Sequence, residues 1–517
     1  MNDSAVGLPV VTTRAGALRG VVADGVASFK GIPYAAPPTG PLRFAEPAPV
    51  PAWDGVRDAS AYGPTPPKPR YLPPFDTMLS DPIIPGEGVL NLNVWTPAPR
   101  VAGGSDGAGD GPLPVLVWIH GGAFRGGTGA VGVYDGSAFA RDGVVCVTIN
   151  YRLGMDGFGL LPDAPHNRGL LDQIAALRWV RDEIAAFGGD PGRVTIAGES
   201  AGAMSAVTLL ASPEASGLFH GVIAQSGAGH HVQSVQSATR VAEELGRRLG
   251  VEPTAAGFAT VPIDDFIAAQ LQLGTEVSTT DRLGWGEVGL DGMAYEPVVD
   301  GRVVPRRPID ALADASGEDA VTDDRVPAVP VLIGANSQEY RFWLAPLGML
   351  DQVTADALPF AGDAYRLPAE SAAVYADAPT PGDGLEALIS DWFFRIPAIR
   401  VAEARWGGPA ATHVYEFRWG SPQLDGTLGA AHAVEIAFAF DTTRVESGWG
   451  MIGPDAPEAL AAEMHAAWVA FARDGDPGWP AYEPRRRAVR VFGGPEGEGA
   501  VEDDPHGPRR EVWDGLR

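Results

Sequence analysis

Two residue types are nearly missing from this chain of 517 residues, and each scarcity excludes a class of protein. Cys146 is the only cysteine, so the chain can form no internal disulfide, and its apolar neighbours indicate a small buried side chain rather than a nucleophile. Lysine occurs only as Lys30 and Lys68, and the net charge is −27. Because nucleic acid and anionic membranes would be repelled by such a charge, we expect neither as a partner.

The chain also lacks an uninterrupted apolar run of about 18 residues, which a membrane-spanning helix would need. Residues 1–7 contain neither the positive segment nor the apolar core of a secretion signal, so we expect a cytoplasmic protein. Hydrophobic residues make up 45% of the chain, which is enough for a large buried core. Ala102–Pro112 is interpreted as a surface loop rather than a linker, and residues 1–517 are predicted to form a single domain, as a monomer or a small homo-oligomer.

One turn carries the strongest chemical signal in the sequence. Val194–Ala197 is predicted to be a short buried strand and a helix is predicted from Ala201, so Gly198-Glu199-Ser200-Ala201-Gly202 is the turn between them. Glycines flank Ser200 because its backbone is strained and larger side chains would collide with the neighbouring strand and helix. The pattern predicts an exposed serine hydroxyl at a helix N-terminus, where backbone N–H groups can bind an oxyanion.

A second glycine motif follows the near-continuous apolar run Leu113–His120, which predicts a strand covered on both faces. The motif is His120-Gly121-Gly122-Ala123-Phe124. Because glycines let backbone amides approach a substrate closely, this pattern after a central strand is typical of the other half of an oxyanion hole. We expect His120 to organise the loop rather than to transfer protons.

The predicted elements around these motifs alternate between strands and helices. Residues 144–150 form a buried strand, and apolar residues three or four apart predict a helix over Gly169–Phe187. This alternation is typical of an α/β protein with a large, mostly parallel central sheet, helices on both faces and long insertions. Ser200 would lie at the carboxyl edge of that sheet, where such folds bind ligands. The proline-rich insertion Tyr62–Gly86 is long enough to overhang the site.

The motifs resemble those of the type-B carboxylesterase/cholinesterase family over nearly the whole chain. Phe187–Gly202 is similar to the family's serine signature, Gly31–Ala35 and Pro41–Phe44 to its opening, and Glu87–Trp95 to its second signature. Val89 stands where extracellular relatives carry a cysteine, which fits an intracellular, bacterial-type member. The resemblance implies the α/β-hydrolase fold and hydrolysis of carboxylic esters by a serine triad.

The resemblance also implies roles for backbone groups and neighbouring side chains. The oxyanion donors would be the N–H groups of Gly122, Ala123 and Ala201, although relatives commonly have a third glycine at position 123. Glu199 beside the nucleophile would support the site. Ser226 matches a second serine that relatives place near the triad, and a simple turn-forming role is an equally good interpretation.

Further positions match structural features of relatives. Two arginine–carboxylate pairs occupy positions that form buried salt bridges in the family: Arg43 with Glu87, and Arg152 with Asp172. Relatives build the acyl-side pocket in the region His231–Ala294, where no motif assigns individual residues.

In relatives, the loop after the strand Val329–Gly334 carries the triad acid followed by a glycine. Glu339 matches the acid, while Tyr340 departs from the glycine. The alternative is that Glu339 is a surface residue at the start of a helix. We prefer the triad interpretation.

The base must follow the acid in this fold's chain order of serine, acid and histidine, which leaves four of the nine histidines. Three of them lie in a predicted strand, a predicted helix and the charged tail, respectively: His413, His465 and His506. His432 lies on a loop, and Gly429–Ile436 resembles the family's Gly-Ala-x-His-x-x-Glu-Ile element. His432 is therefore the predicted base.

The sequence thus predicts a serine carboxylesterase with Ser200, His432 and Glu339 as its triad, acting on short-chain and aryl esters through an acyl-enzyme. An amidase, a carbamate hydrolase or an acyltransferase could use the same machinery. A non-catalytic binding module is the less favoured alternative, because such proteins typically lack the serine or the histidine. No motif suggests a metal or a nucleotide, so we expect no cofactor and a small-molecule ester as the only partner.

Overall fold

The computed structural model describes residues 8–97, 111–280, 284–315, 328–494 and 499–517. The strands in these ranges are β1 (Val10–Thr12), β2 (Ala17–Arg19), β3 (Val21–Ala23), β4 (Val26–Pro33), β5 (Val56–Asp58), β6 (Asn91–Pro97), β7 (Leu113–Ile119), β8 (Val145–Ile149), β9 (Gly189–Glu199), β10 (Gly221–Gln225), β11 (Val331–Asn336), β12 (Thr412–Phe417), β13 (Ala488–Phe492) and β14 (Val501–Asp503).

The α-helices in the same ranges are α1 (Phe75–Met78), α2 (Ser137–Arg141), α3 (Gly154–Phe158), α4 (Arg168–Glu183), α5 (Ala201–Leu210), α6 (Val235–Leu249), α7 (Ala255–Phe258), α8 (Ile263–Thr275), α9 (Glu287–Asp291), α10 (Pro308–Asp314), α11 (Arg341–Leu344), α12 (Ala357–Ala364), α13 (Ala369–Ala372), α14 (Pro381–Ser390), α15 (Ile396–Arg405), α16 (Ile436–Ala439), α17 (Trp449–Ile452), α18 (Glu458–Asp474) and α19 (Gly507–Glu511). Short 3-10 segments lie at Gly40–Leu42, Gly132–Tyr134, Ile184–Phe187, Pro213–Ala215, Leu350–Gln352, Ala373–Tyr375 and Glu446–Gly448, and π-helical turns at Glu276–Thr280 and Asp391–Arg395.

Eleven of these strands form one sheet in the order β14-β13-β12-β11-β10-β9-β7-β8-β6-β4-β3. From β13 to β8 the neighbouring strands pair in parallel, and antiparallel strands flank this centre on both sides. Strands β1, β2 and β5 form a small separate sheet. The predicted large, mostly parallel sheet is confirmed. No helix within the described ranges is long and apolar enough to cross a membrane.

The strands and the helix nearest Ser200 are buried on all sides. Every residue of β8, β10 and β11 is buried, as expected for parallel strands whose two faces are both covered by helices. All ten residues of α5 are buried as well, which explains why its sequence is apolar all round rather than amphipathic. Ser200 is therefore held between two elements that the core fixes in place.

The two salt bridges expected from the resemblance have different outcomes. Arg152 Nε and Nη2 donate to the two carboxylate oxygens of Asp172 at 2.8 and 2.7 Å, and both residues are buried. The pairing of Arg43 with Glu87 is wrong: Arg43 Nε instead donates to Asp156 Oδ1 at 2.7 Å. Glu87 is exposed, whereas Asp156 lies on the short helix α3 that begins two residues after Arg152.

Other local predictions agree with the structure to within a few residues. The N-terminal hairpin is formed by β1 and β2, which pair antiparallel. The helix predicted over Gly169–Phe187 is α4 followed by a 3-10 turn. The predicted surface loop Ala102–Pro112 lies almost entirely outside the described residues, which resume at position 111.

Candidate active site

Ser200 stands alone between the end of β9 and the start of α5, with φ 55° and ψ −124°. This positive φ is strained for a residue with a side chain. The flanking glycines leave no room for a side chain: a Cβ on Gly202 would lie 1.9 Å from the carbonyl oxygen of Ile119, and one on Gly198 would lie 2.4 Å from the backbone of Gly202. The predicted strained turn between strand and helix is present.

The loop after β7 is also held in an unusual backbone conformation. Gly122, Ala123 and Phe124 have φ values of 116°, 51° and 58°. A Cβ on Gly121 would lie 2.7 Å from Glu199 Oε2, so the loop lies directly against the serine turn. Within the described part of the chain, the N–H groups of Gly122 and Ala123 donate no hydrogen bond. They are free to bind an anion.

The first N–H group of α5 adds a third donor from a second element. Ala201 is the first residue of the helix, so its N–H has no partner within the helix. The helix dipole also places partial positive charge at this end. Unpaired N–H groups from two elements therefore lie next to Ser200, as the resemblance predicts.

His120 is bonded into this loop and lies in apolar surroundings. Its Nδ1–H donates to the carbonyl of Gly121 at 2.8 Å, and its ring stacks on Tyr151 with centroids 4.4 Å apart. Burial, with a contribution from the charge of Lys68, lowers the pKa of His120 to about 3. The ring is thus neutral near pH 7, in agreement with the expectation that it organises the loop.

His432 and Glu339 form a buried pair, although 93 residues separate them in the sequence. His432 Nδ1 lies 2.6 Å from Glu339 Oε2, and the main-chain N–H of His432 donates to the main-chain carbonyl of Glu339 at 3.1 Å. The other carboxylate oxygen of Glu339 accepts from the N–H of Asn336 at 2.7 Å. These contacts hold a proton on Nδ1 and leave Nε2 for chemistry.

The Nε2 atom of His432 lies 2.9 Å from Glu199 Oε1. In the described part of the structure, the hydroxyl of Ser200 makes no hydrogen bond, although Ser200 and His432 line the same cavity. Burial alone would lower the pKa of His432, but the charges of Glu199 and Glu339 outweigh it and raise that pKa well above its ordinary value. The structure therefore brings His432 between two carboxylates.

Tyr340, the departure from the family's glycine, needs no glycine here. Its φ of −76° is ordinary for any residue. Its N–H donates to Glu386 Oε1 at 3.1 Å and to Ser390 Oγ at 2.9 Å, and its ring packs against Trp343 with centroids 4.8 Å apart. The substitution leaves the position of Glu339 intact.

The remaining histidines after Glu339 lie away from the cavity. His413 is in β12, where Nδ1 contacts the carbonyl of Trp479, and His465 is in α18. His506 Nε2 lies 3.0 Å from Glu416. Among the described residues, none of the three lines the cavity that contains Ser200. The choice of a histidine that follows Glu339 and lies on a loop thus selects His432, which does line the cavity.

Ser226 is close to the site in sequence and in space, but its expected support of the histidine region is not made by a hydrogen bond. Its φ is 51°, and its N–H donates to the carbonyl of Gly334 at 2.9 Å. Its hydroxyl is buried and has no partner within the described residues.

The sequence did not identify a buried network behind the histidine. Glu435 Oε2 accepts from Asn336 Nδ2 at 2.6 Å, and Glu435 Oε1 accepts from Gln225 Nε2 at 3.0 Å. Asn336 Nδ2 also donates to the carbonyl of Ala431 at 2.8 Å. Burial, together with the charges of Glu199 and Glu339, raises the pKa of Glu435 to about 8. In the sequence, the Glu435-Ile436 pair at the end of the histidine motif was the feature that could have indicated this network.

Two aromatic side chains pack against the imidazole ring of His432. The rings of Phe394 and Trp343 lie 4.7 and 5.0 Å from it, centroid to centroid. Both belong to regions in which the sequence offered no functional motif. They limit the rotation of the imidazole and lower the local polarity.

Ser200 opens into a cavity of about 170 Å³. Its walls come from the proline-rich insertion, the loop after β7, the start of α11 and the segments that follow His432; they include Tyr71, Met78, Leu79, Gly122, Ala123, Val131, Phe342, Trp343, Val434, Ala437, Met451 and Ile452. The prediction that Tyr62–Gly86 borders the site agrees with this. None of the described residues of His231–Ala294 lines this cavity, and the location of the acyl-side pocket stays a prediction.

A mostly parallel sheet with a strained serine at the carboxyl end of a central strand defines an α/β-hydrolase. Residues 7–490 match the model of the carboxylesterase family. The chain belongs to that family and is a carboxylic-ester hydrolase.

Relatives match along almost the full length of the chain. It is 35% identical to the para-nitrobenzyl esterase of Bacillus subtilis, over 97% of this chain and 98% of that protein. It is also 35% identical to the phenmedipham hydrolase of Pseudarthrobacter oxydans, over 94% of this chain and 95% of that protein. A solved carboxylesterase of Geobacillus stearothermophilus superposes with a TM-score of 0.80 at 36% identity, covering 98% of this chain and 99% of that one.

Proposed function

We propose that this protein hydrolyses soluble short-chain and aryl carboxylic esters, with Ser200 as the nucleophile, His432 as the general base and Glu339 as the acid of the triad. The observation that carries the proposal is the strained, half-buried Ser200, which lines the same cavity as His432 of the buried His432–Glu339 pair. A serine is a poor nucleophile unless a base removes its proton, and this pair supplies a base with a fixed tautomer.

The reaction begins with attack of the Ser200 hydroxyl oxygen on the ester carbonyl carbon, as His432 Nε2 takes the hydroxyl proton. The negative charge that develops on the carbonyl oxygen is bound by the N–H groups of Gly122, Ala123 and Ala201. One such donor is typically worth about 3 kcal/mol of barrier.

The tetrahedral intermediate then collapses, and the C–O bond to the alcohol breaks. The imidazolium of His432 returns its proton to the leaving alkoxide, and the acyl group stays on Ser200. Water, deprotonated by His432, hydrolyses this acyl-enzyme and regenerates the serine. Glu339 stabilises the imidazolium in both halves of the reaction and does not itself take the proton.

Glu199 has a separate effect on this cycle. A proton on His432 Nε2 points at the Glu199 carboxylate, 2.9 Å away, and the charged form of the imidazole is stabilised there. The productive ground state is the neutral imidazole, whose Nε2 accepts from Ser200. Glu199 thus stabilises the imidazolium that forms during the reaction. It also keeps His432 protonated at low pH, where the histidine cannot accept the serine proton and activity is lost.

The cavity supports small and aryl substrates. Its walls carry apolar side chains such as Met78, Val131 and Met451. The loop Gly121–Ala123 resembles the glycine-rich oxyanion loop that in related esterases leaves space beside the carbonyl for a bulky alcohol, so we expect some tolerance of tertiary alcohols. Within the described part of the chain no long helix covers the opening. We expect no activation by a lipid interface.

Rates on p-nitrophenyl acetate, butyrate and a long-chain ester, and on tert-butyl acetate, measured below and above micelle formation, test the substrate class. The expected result is fast hydrolysis of the short esters, measurable turnover of tert-butyl acetate and no jump at the interface. The Ser200→Ala protein is the control for background hydrolysis. A preference for long chains, or a rate increase at the interface, would show a lipase.

We also propose that the protein works in the cytoplasm, as a monomer or a small homo-oligomer. A lone buried cysteine, Cys146, supports a reducing compartment, since no internal disulfide is available. Cell fractionation tests the location, and activity confined to the periplasmic or membrane fraction would contradict it. Light scattering on the purified protein tests the oligomeric state, and a large assembly would contradict the second statement.

A further inference from the structure

Three titratable side chains come together outside the catalytic cavity. They are His231 in the loop after β10, Asp291 at the end of α9 and Glu296 five residues later. One ligand atom from each lies within 4.8 Å of the other two. None of the three lines the cavity that contains Ser200. The cluster is therefore a second polar site that ester hydrolysis does not use.

The acceptors of the cluster are poorly matched by donors. Glu296 is 0% exposed, and neither of its carboxylate oxygens has a hydrogen bond of good geometry among the described residues. The side chain of Gln233 lies near enough to influence Glu296, but its Nε2 donates to the carbonyl of Met293 at 3.1 Å. His231 Nδ1 and Asp291 Oδ1 are likewise buried atoms without a hydrogen bond there, and they face each other at 3.4 Å. A buried carboxylate without compensation is strongly disfavoured, so a positive charge or a proton must occupy this space.

The hydrogen bond made by His231 shows which of its two ring nitrogens can bind a cation. Its Nε2 lies 2.9 Å from the carbonyl oxygen of Phe393, which can only accept, so Nε2 carries a hydrogen. The Phe393 ring also stacks on the imidazole with centroids 4.3 Å apart and fixes its orientation. When the ring is neutral, Nδ1 therefore has a free lone pair, and this atom lies 3.4 Å from Asp291 Oδ1. Metal-binding histidines likewise donate their other ring N–H to a carbonyl or a carboxylate.

The spacing of the acceptors suits a metal ion. His231 Nδ1 lies 3.4 Å from Asp291 Oδ1. Two ligands of a tetrahedral ion with bonds of about 2.1 Å are about 3.4 Å apart, as in zinc sites with histidine and carboxylate ligands. The mixture of one imidazole nitrogen and two carboxylates favours Zn²⁺ or a similar transition ion over Ca²⁺ or Mg²⁺, which prefer oxygen ligands alone.

A protein cation compensates the cluster only through space. The buried guanidinium of Arg517 interacts electrostatically with Asp291 and Glu296, but among the described residues it forms no ion pair with either, and its Nη2 has no hydrogen-bond partner there. Its Nε donates to the carbonyl of Trp392, and its guanidinium lies 3.9 Å from the centroid of the Trp392 ring.

We propose that His231 Nδ1 and the carboxylates of Asp291 and Glu296 bind one divalent transition-metal ion, with Zn²⁺ as the representative. The Asp291 side chain is 11% exposed, which gives an entry path from solvent, and solvent would supply the fourth ligand. Because the ion would tie α9 to the loop after β10, its role is structural.

The test uses the full chain, stripped with a chelator and then titrated with Zn²⁺ by calorimetry, with bound metal measured after dialysis. The expected result is one Zn²⁺ per chain and a higher unfolding temperature. Glu296→Gln and, independently, the partly exposed Asp291→Asn should each weaken binding at least tenfold. Glu243→Gln, which removes an exposed carboxylate on α6, is the matched control and should bind as the wild type does.

Two results would overturn the proposal. One is a folded wild-type protein that binds no Zn²⁺ beyond what the Glu296→Gln protein binds. The other is that Zn²⁺ leaves the unfolding temperature of the wild type unchanged and Glu296→Gln raises it. That result would mean that a proton, rather than a metal ion, compensates the buried carboxylates. Hydrolysis of p-nitrophenyl butyrate, measured in parallel, reports on the separate catalytic site and confirms that each variant is folded.

Discussion

Glu199 Oε1 lies 2.9 Å from His432 Nε2, the nitrogen that takes the serine proton in the proposed mechanism. Glu339 contacts the opposite nitrogen of the same ring at 2.6 Å. The imidazole is thus placed between two carboxylates, and only Glu339 belongs to the proposed triad. Because the charge of Glu199 also raises the pKa of His432, we expect Glu199 to influence the pH at which the enzyme becomes active.

Glu199→Gln should shift the acidic side of the pH profile of kcat/KM to lower pH. Because the charges of Glu199 and Glu339 raise the pKa of His432, the neutral base accumulates only at higher pH in the wild type, and removal of one charge lowers that pKa. Glu243→Gln changes the same charge at an exposed distant position and should leave the profile unchanged. An unshifted profile in Glu199→Gln would show that the two residues are not coupled.

Ser200→Ala should lower kcat by about 10⁵- to 10⁶-fold, as removal of a triad nucleophile does. An organophosphate or a sulfonyl fluoride should add one label per chain, and peptide mass spectrometry should locate it at Ser200. Ser205, in helix α5, is the matched control: its buried hydroxyl accepts from Gln173, and the Ser205→Ala protein should still be labelled at Ser200. Labelling of another residue, or normal turnover by Ser200→Ala, would refute the assignment of the nucleophile.

Glu339→Gln should lower kcat by about 10⁴-fold, the cost of losing the charge that holds the histidine tautomer. His432→Ala should be at least as damaging. Glu386→Gln is an informative comparison, because Glu386 is another buried carboxylate nearby, bonded to the N–H of Tyr340 but not to the histidine. If Glu386→Gln is inactive while Glu339→Gln works normally, the triad acid has been misassigned.

The serine turn could be predicted because its determinants are local. The strain at Ser200 and the close approach of Gly198 and Gly202 depend on a few adjacent residues, so the glycine spacing between a predicted strand and a predicted helix predicts the geometry. The pairing of His432 with Glu339 spans 93 positions, and chain order and family resemblance were needed to predict it.

Interactions between distant segments without a motif were not predictable. Arg43 was assigned to Glu87, whereas the packing of α3 brings Asp156 to it instead. The cluster of His231, Asp291 and Glu296 forms where α9 and the loop that follows it meet the loop after β10. The sequence shows no metal-binding spacing that would predict it. In each case the partner depends on where a short helix docks, which periodicity does not encode.

The last prediction concerns Glu435, whose pKa is raised to about 8 by burial and by the charges of Glu199 and Glu339. An ordinary glutamate in the unfolded chain has a pKa of about 4.3. The folded state therefore holds this proton more tightly than the unfolded state does. The resulting contribution favours folding at low pH and is lost as the pH rises toward 8.

Between these two pKa values, Glu435 should reduce the free energy of unfolding by about 1.4 kcal/mol for each pH unit of increase. Glu435→Gln cannot titrate, so its free energy of unfolding should fall less steeply than that of the wild type from pH 5 to pH 8. Urea unfolding of both proteins at several pH values measures the difference. Parallel curves would mean that Glu435 is ionised throughout, stabilised by the donors from Asn336 and Gln225 rather than by a proton.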